Sequence, residues 1–224
     1  MPTWQSQLGA VDYERLEKWE KAQILSSYVS RWYANVNVPL IKNIIMKIIP
    51  EEYNLLHCTE LTDKLSIIFT DLESGTSCSI TYYEVTDTYD LQLSGAGCIG
   101  VLDISSYDDI WIITKIVPYE GEGHVGFLVD KDNTYFVYLD TGADYVYLYK
   151  MVGGDTSTIT SETYDGDILV IHYRRSTGQF DVYGYNGKLF SATDTSLSPQ
   201  YIGSNYFYGY APHNKWRHFV AIAK

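Results

Sequence analysis

From about residue 53 onward, apolar and polar residues alternate with a period of two, and this alternation constrains the fold more than any other feature of the chain. A strand with that period has one apolar and one polar face, and clusters of Gly, Asp and Asn between such runs predict turns. Many short strands separated by turns are typical of an antiparallel β-sandwich. The predicted strands are residues 54–59, 65–70, 77–85, 90–94, 98–103, 110–117, 124–130, 134–139, 144–151, 156–160, 167–174, 179–185, 188–192 and 216–222.

The first fifty residues follow a helical pattern instead. Over residues 12–34, apolar side chains recur three or four positions apart, and Asp12 is a suitable N-cap. The next stretch, NVPLIKNIIMKIIPEE, repeats apolar pairs every four residues, which predicts a second short helix, with a buried strand as the alternative. These helices could pack against the sandwich or dock onto a partner. We expect a helical docking segment over residues 1–52, with the docking residues Trp19, Trp32, Leu40, Ile44 and Ile48, and a β-sandwich over residues 53–224.

Charge is distributed unevenly along the 224 residues, whose formal net charge is −12. Residues 1–50 contain six basic and four acidic side chains, whereas residues 51–224 contain ten basic and 24 acidic ones. A chain this acidic would be repelled by phosphates, so we expect no nucleic-acid partner. The difference between the two parts predicts that they face different environments.

The cysteines and the N-terminal sequence bear on where the protein resides. Cys58, Cys78 and Cys98 fall on predicted strands, and one disulfide with one free thiol or three buried thiols are both compatible with that spacing. No signal-peptide h-region is visible, and no stretch reaches the roughly 20 apolar residues of a spanning helix. We expect a virion or particle surface, or otherwise the cytoplasm. The Tyr- and Ile-rich, Met-poor composition is compatible with a thermophilic source.

The stretch STGQFDVYGYNGKLF, residues 176–190, predicts a hairpin. A four-residue loop over residues 175–178 would pair the strand before it with the strand after it, and Asn186-Gly187 would then form a two-residue type I′ turn. The register that follows places Tyr173 opposite Phe180, Ile171 opposite Val182, His172 opposite Asp181, Val170 opposite Tyr183 and Arg174 opposite Gln179.

The same region resembles a known family. DGDILVIHYRRSTGQFDVYGYNGKLF is similar to the penultimate hairpins of concanavalin A-like lectin/glucanase domains, particularly the laminin-G-like branch. DDIWIITKIVPYEGEGHVGFLVDKDNTYFVYLD and VYLYKMVGGDTSTI are similar to the family's preceding strand pair and turn. The resemblance covers roughly residues 85–224. It implies a two-sheet antiparallel jelly roll in which one curved sheet often offers a concave ligand face.

Glycosidases of that superfamily commonly carry Glu-x-Asp-x-x-Glu or Glu-x-Asp-x-Glu on one strand, because hydrolysis needs paired carboxylates. This sequence contains neither pattern. Glu120 and Glu122 lie in a Gly-rich turn that would not hold them in place, and no Ser or Cys stands in a nucleophile elbow or triad context. We therefore predict a non-catalytic protein with no catalytic residues.

A metal site is a weaker expectation. Laminin-G-like relatives often hold Ca²⁺ through loop Asp and carbonyl groups, so the resemblance implies Asp130, Asp132 and Asn133 as metal candidates. Hairpin turns favour Asp and Asn without any metal, which is the alternative explanation. The five His residues lack zinc-ligand spacing. We expect no cofactor, with structural Ca²⁺ as the alternative.

Two sets of side chains could bind glycan. A period-two row of tyrosines on one strand could stack on sugar rings, and the polar face of the hairpin could hold hydroxyls. The row could equally be the outward face of a half-buried strand. The glycan-binding candidates are Tyr145, Tyr147, Tyr149, His172, Asp181, Tyr183 and Tyr185.

Together these patterns predict a non-catalytic structural or attachment protein that uses a lectin-like β-sandwich, as an exterior virion component. Its expected partners are other assembly or virion proteins, reached through the N-terminal helices, and a cell-surface glycan. We expect a homo-oligomer or part of a larger assembly. The alternative is a carbohydrate-binding module or a diverged glycoside hydrolase.

Overall fold

The structure is a computed structural model that describes residues 54–58, 70–72, 77–83, 88–94, 98–117, 122–205 and 214–224. In the N-terminal segment it describes only Glu20 and Gln23, both in helical conformation. The predicted helical segment therefore stays a prediction, and its docking residues lie outside the described residues: Trp19, Trp32, Leu40, Ile44 and Ile48. In the described part of the chain, no helix has the length and apolar character needed to cross a bilayer.

The described residues form a mainly β fold of antiparallel strands arranged in two sheets. In chain order the strands are β1 Asn54–Cys58, β2 Thr70–Asp71, β3 Ser77–Tyr83, β4 Thr88–Ser94, β5 Cys98–Asp103, β6 Asp109–Val117, β7 Glu122–Leu128, β8 Thr134–Asp140, β9 Tyr145–Val152, β10 Asp155–Thr163, β11 Ile168–Arg174, β12 Gln179–Gly184, β13 Gly187–Thr193, β14 Tyr201–Asn205 and β15 Asn214–Ala223.

Sheet A has the order β13-β12-β11-β6-β15-β4-β3, and β1 also pairs with β15. Sheet B has the order β10-β9-β8-β7-β14-β5-β2. Strands that are distant in sequence are neighbours in space, since β6 lies between β11 and the C-terminal strand β15. This arrangement confirms the predicted two-sheet antiparallel sandwich.

The core lies between the two sheets and is built from alternate, inward-facing residues of strands such as β6, β8 and β11. Phe180 of sheet A lies at its aromatic centre, stacked on Tyr173 with ring centroids 4.4 Å apart. Phe127 and Tyr135 of sheet B pack against the same ring at 5.3 and 5.2 Å. The side chains of Phe180 and Val182 are fully buried, as the hairpin register predicts.

Within the described ranges most predicted strands are confirmed to within a few residues, and one strand was not predicted; of the predicted strand 65–70 the structure describes only Thr70. β14, Tyr201–Asn205, pairs with β5 on one side and with β7 on the other. Its sequence, YIGSN, is short and carries a glycine, so it shows little alternation. Gly203 is required there because a Cβ would lie 1.8 Å from the carbonyl oxygen of Ile99.

The predicted β11–β12 register is confirmed at all five pairs, from Val170 opposite Tyr183 to Arg174 opposite Gln179. The predicted turn after β12 is wrong. Gly184 pairs with Gly187, so the two-residue loop is Tyr185-Asn186, and only Gly187 has a positive φ, of 137°. An irregularity between Val182 and Tyr183 shifts the β12–β13 pairing, which displaces the turn by one residue.

The cysteines lie on three strands, Cys58 on β1, Cys78 on β3 and Cys98 on β5. Their side chains are outside the described residues, so both predicted thiol states stay open.

Candidate functional site

The seven glycan-binding candidates occupy three separate places. Tyr145, Tyr147 and Tyr149 lie on β9 in sheet B, on the face that points away from the core. His172, Asp181 and Tyr183 lie together on the outward face of sheet A, since their neighbours Ile171 and Val182 point into the core. The two groups are therefore on opposite sides of the sandwich and cannot contact one ligand. Tyr185 belongs to neither group.

We call Tyr145, Tyr147 and Tyr149 the tyrosine row. Their rings stack on one another along the strand, with centroids 5.6 Å apart for the first pair and 5.1 Å apart for the second. Tyr145 is 38% exposed, whereas Tyr147 and Tyr149 are half-buried and pack against a small apolar cluster, formed by Phe136, Tyr138 and Met151. Ring faces that cover each other are not open to a sugar, so this geometry favours a structural role for most of the row.

The outward face of sheet A presents a different arrangement around Trp111. The indole of Trp111 lies flat on the imidazole of His172, with ring centroids 3.8 Å apart and an interplanar angle of 11°. Tyr183 continues the aromatic surface, 6.3 Å from Trp111 and within 22° of parallel. Trp111 and Tyr183 are both half-buried. The indole N–H of Trp111 is buried without a hydrogen-bond partner, so the cluster contains one unused donor.

His172 is enclosed by two carboxylates beneath that indole. Its Nε2 lies 2.6 Å from Asp109 Oδ1, and its Nδ1 lies 3.8 Å from Asp181 Oδ2. Burial lowers the pKa of His172, against the opposite influence of Asp109 and Asp181. The imidazole is therefore neutral at pH 7, and the short contact assigns its proton to Nε2, which donates to Asp109. The ring acts as a rigid support for Trp111.

Asp181 is the buried acceptor at the centre of this face. Its carboxylate, 5% exposed, accepts hydrogen bonds from Lys188 Nζ at 2.8 Å, from Ser191 Oγ at 2.5 Å and from Gln179 Nε2 at 3.2 Å. Burial acts to raise the pKa of Asp181, but the hydrogen bonds from Lys188 and Ser191 outweigh it and hold the pKa below its usual range. Asp181 is thus an ionised, fully engaged carboxylate.

Two cations surround Asp181 on the solvent side. Lys188 is 45% exposed and lies 5.4 Å from the centroid of the Tyr183 ring. Arg174 is 40% exposed, lies 4.0 Å from Asp181 Oδ2, and donates from NH1 to Gln179 Oε1 at 2.7 Å. We call Asp109, Trp111, His172, Asp181 and Tyr183, with the rim residues Arg174 and Lys188, the Trp111 cluster.

Tyr185 lies in the turn after β12 and is not part of the Trp111 cluster. Its hydroxyl donates to Asp167 Oδ1 at 2.5 Å, and its ring packs on Tyr164 at 5.9 Å. Burial raises the pKa of Tyr185 to about 12. The displaced turn explains this position, because the predicted turn would have paired Tyr185 with Lys188, whereas the structure pairs Tyr183 with Lys188.

The predicted metal residues form a hydrogen-bonded turn between β7 and β8. Asp130 accepts from the backbone N–H of Asp132 at 2.9 Å and from Nδ2 of Asn133 at 2.8 Å, and Asn133 Oδ1 accepts from Gly153 N–H. These hydrogen bonds fit the turn-forming role that Asp and Asn play without a metal, and the Ca²⁺ role stays a prediction. Among the described residues, no group of three or more His, Cys, Asp or Glu is arranged to hold a metal ion.

Four members of the cluster were not among the predicted site residues: Asp109, Trp111, Arg174 and Lys188. The DDIWII stretch does place Asp109 and Trp111 on one face of β6, but nothing local in the sequence pairs β6 with β11. Asp109 and His172 are 63 residues apart in sequence. Lys188 carried a usable signal, since it stands near the end of the predicted hairpin, but the wrong turn concealed its position opposite Tyr183.

No family model matches the chain, and no curated protein matches it in sequence. Solved structures similar to it include the carbohydrate-binding module CBM66 from Bacillus subtilis, at 17% identity and a TM-score of 0.47, which covers 70% of this chain and 92% of that one. The galectin LEC-6 of Caenorhabditis elegans is similar at 8% identity and a TM-score of 0.42, with 64% of this chain and 100% of that one covered.

A β-glucanase of Bacillus licheniformis is similar at 10% identity and a TM-score of 0.41, covering 77% of this chain and 97% of that one. The likeness concerns the sandwich architecture, so the chemistry of this chain has to be argued from its own residues.

Proposed function

We propose that this protein is a non-catalytic attachment module that binds glycan at the Trp111 cluster. The observation that carries the proposal is the indole of Trp111, which is stacked on the buried imidazole of His172 with ring centroids 3.8 Å apart. An aromatic ring fixed in that orientation can stack on the apolar face of a sugar ring. Because His172 already holds the Trp111 side chain in place, less conformational entropy of that side chain is lost when a ligand binds.

Polar groups next to the indole supply what a sugar's hydroxyls need. Asp109, 26% exposed, offers carboxylate oxygens, while Arg174 and Lys188 offer donors. Binding sites for small ligands combine an apolar surface with a few such fixed polar groups. The tyrosine row offers less, because its rings cover one another and only Tyr145 is exposed.

The state of the carboxylates supports a binding function over a hydrolytic one. A glycosidase needs one carboxyl with a raised pKa to protonate the leaving group. Asp181 is held ionised by Lys188 and Ser191, and Asp109 is bonded to His172. Neither group is arranged as a general acid.

Isothermal titration of the full chain, after a glycan array has identified a bound sugar, tests this proposal. We expect Trp111→Ala to weaken binding by at least roughly tenfold, equivalent to about 1.4 kcal/mol, and Trp111→Phe to retain part of it. Tyr147→Ala, on the opposite sheet, is the matched control and should bind like the wild type. If Tyr147→Ala abolishes binding and Trp111→Ala does not, or if the wild type binds no glycan, the proposal is wrong.

We also propose that the module belongs to the exterior of a virion, attached through residues 1–52. Support comes from the charge difference, since the first fifty residues carry two more basic than acidic groups while the remainder is strongly acidic. Replacing Trp19 and Trp32 by Glu in the full chain should prevent incorporation into particles and leave glycan binding intact. Normal incorporation of that variant would contradict the docking assignment.

A further inference from the structure

The rim of the Trp111 cluster is cationic on its solvent side. Arg174 and Lys188 are 40% and 45% exposed, whereas Asp181 beneath them is 5% exposed. A ligand that approaches this part of sheet A therefore meets hydrogen-bond donors before acceptors. Asp109, the more accessible acid, is on the other side of His172 and is bonded to its Nε2 at 2.6 Å.

Asp181 holds the two cations in place. Lys188 Nζ lies 2.8 Å from Oδ1 and Arg174 NH1 lies 4.0 Å from Oδ2, so both cations converge on one carboxylate. Gln179 fixes the guanidinium from the other side, accepting from NH1 at 2.7 Å. An ammonium has three donors and a guanidinium has five, so both cations keep donors beyond those that Asp181 and Gln179 use. Asp181 is thus a positioning residue for the cations.

The four charged side chains of the cluster balance one another, with the two cations on its solvent side. Arg174 and Lys188 supply two positive charges and Asp181 one negative charge, while His172 is neutral at pH 7 because burial lowers its pKa. Asp109 supplies the second negative charge on the far side of His172, so the cluster has no net charge in a chain of net charge −12. Tyr183 lies beside Trp111, and Lys188 Nζ lies 5.4 Å from the centroid of the Tyr183 ring, so a substituent on that side of a ring stacked on Trp111 can reach Lys188.

We infer that the glycan bound at the Trp111 cluster carries an anionic group, a carboxylate or a sulfate, which Arg174 and Lys188 bind while the sugar ring stacks on Trp111. The inference rests on the proposed function and names the ligand class of the same site. A planar guanidinium can bind two oxygens of such a group together, which an uncharged sugar cannot match.

The test is a binding assay on the full chain with matched acidic and neutral probes. The pairs are tetragalacturonate and its methyl ester, sialyllactose and lactose, and a sulfated galactose tetramer and its unsulfated form. We expect at least one acidic probe to bind tenfold or more tightly than its neutral partner. The pair that shows this difference identifies carboxylate or sulfate as the bound group.

Variants then assign the contacts. Arg174→Gln and Lys188→Gln should each reduce the acidic preference to less than threefold, while the weaker binding of the neutral probe persists. Asp181→Asn should also weaken binding of the acidic probe and leave binding of the neutral probe unchanged, because Arg174 and Lys188 lose the carboxylate that positions them. Lys131→Gln is the matched control, since Lys131 is 36% exposed and paired with a carboxylate in a turn of sheet B. Thermal denaturation verifies that each variant is folded.

The outcomes separate the two proposals. Equal, Trp111-dependent binding of acidic and neutral probes would overturn this inference and leave the glycan-binding function standing. An acidic preference that survives Arg174→Gln and Lys188→Gln would also overturn it. If the wild type binds none of the six probes but binds a neutral glycan on the array, this inference is wrong and the glycan-binding function stands.

Discussion

Asp194 links three parts of the chain through a single carboxylate. It accepts from Tyr135 Oη at 2.7 Å, from Lys150 Nζ at 2.6 Å and from the backbone N–H of Ser196 at 2.8 Å. Tyr135 Oη in turn accepts from the backbone N–H of Leu197 at 3.0 Å. The segment after β13 is thereby fastened to sheet B, and Asp194 is only 17% exposed.

Replacing Asp194 by Asn should lower the free energy of unfolding at pH 7 by about 1–3 kcal/mol, because the ion pair and the charge-assisted hydrogen bonds are lost. Hydrogen bonds from Lys150 and Ser196 outweigh burial and hold the pKa of Asp194 well below its usual 3.8. A carboxyl whose pKa is lowered in the folded state stabilises the fold at pH values above its ordinary pKa of 3.8. This stabilisation is lost as the pH falls below 3.8 toward the lower pKa of the folded state.

Urea denaturation at pH 7 and pH 3 measures this. The difference in free energy of unfolding between the wild type and Asp194→Asn should be larger at pH 7 than at pH 3. Asp132→Asn is the control, because Asp132 is 45% exposed and pairs with the adjacent Lys131. A gap that is constant with pH would show that the charge of Asp194 contributes nothing.

At the scale of single elements, two glycines with the same backbone conformation differ in their surroundings. Gly178, in the β11–β12 turn, has φ of 61°, and a Cβ there would lie 2.1 Å from the carbonyl oxygen of Asp194. Gly153, in the β9–β10 turn, has φ of 60° and no atom within 4 Å of its Cβ position. Comparing alanine substitutions at Gly153 and Gly178 therefore separates the free-energy cost of a positive φ from the cost of a steric clash at the added Cβ.

Gly153→Ala should lower the free energy of unfolding by about 1 kcal/mol, the usual cost of a left-handed conformation for a non-glycine residue. Gly178→Ala should cost at least 1 kcal/mol more, because the added methyl displaces backbone that is hydrogen-bonded. Equilibrium denaturation of the two variants side by side measures the difference. Equal losses would mean that the turn after β13 moves freely.

The elements predicted correctly are those whose structure is determined by residues close together in the sequence. The β11–β12 register follows from the loop of residues 175–178 and the alternation around it, and every predicted pair is confirmed. β14 escaped because a five-residue strand with a glycine shows no period. The turn after β12 was misplaced because an irregular pairing near Tyr183 cannot be seen in a pattern of residue types.

At the scale of the whole molecule, the candidate site depends on strand order. Asp109 and Trp111 reach His172 only because β6 pairs with β11 in sheet A. Likewise, Tyr147 and Tyr183 appear equivalent in sequence, yet the two sheets place them on opposite faces. Hydrophobic alternation predicts which residues point outward, but not which sheet they belong to, so the candidate site was only partly predictable.

Buried tyrosines should set the alkaline limit of the fold. Burial raises the pKa values of Tyr135 and Tyr185 to about 12, from an ordinary value of 10. A phenol whose folded pKa is raised stabilises the protein below pH 10, and this stabilisation is lost as the pH rises from 10 to about 12.

The denaturant midpoint should therefore fall steadily between pH 10 and pH 12. Tyrosinate absorbance should show that some of the 22 tyrosines ionise only as the protein unfolds. Tyr185→Phe should be less stable at pH 8, through loss of the bond to Asp167, and should show a shallower decline above pH 10. A decline as steep as that of the wild type would exclude Tyr185 as a contributor.

The place of β15 in sheet A has a consequence for synthesis in the cell. β15 pairs with β6 on one side and with β4 and β1 on the other, so the strand of sheet A that comes after all the others in sequence is an interior one. While the ribosome is still translating, β6 has one edge without its final neighbour, and β4 lacks the strand that joins it to the rest of the sheet. Sheet A can close only after residue 223 has emerged from the ribosome, so a slow codon or a chaperone acting while β15 is being made would affect the yield of folded protein more than one acting earlier.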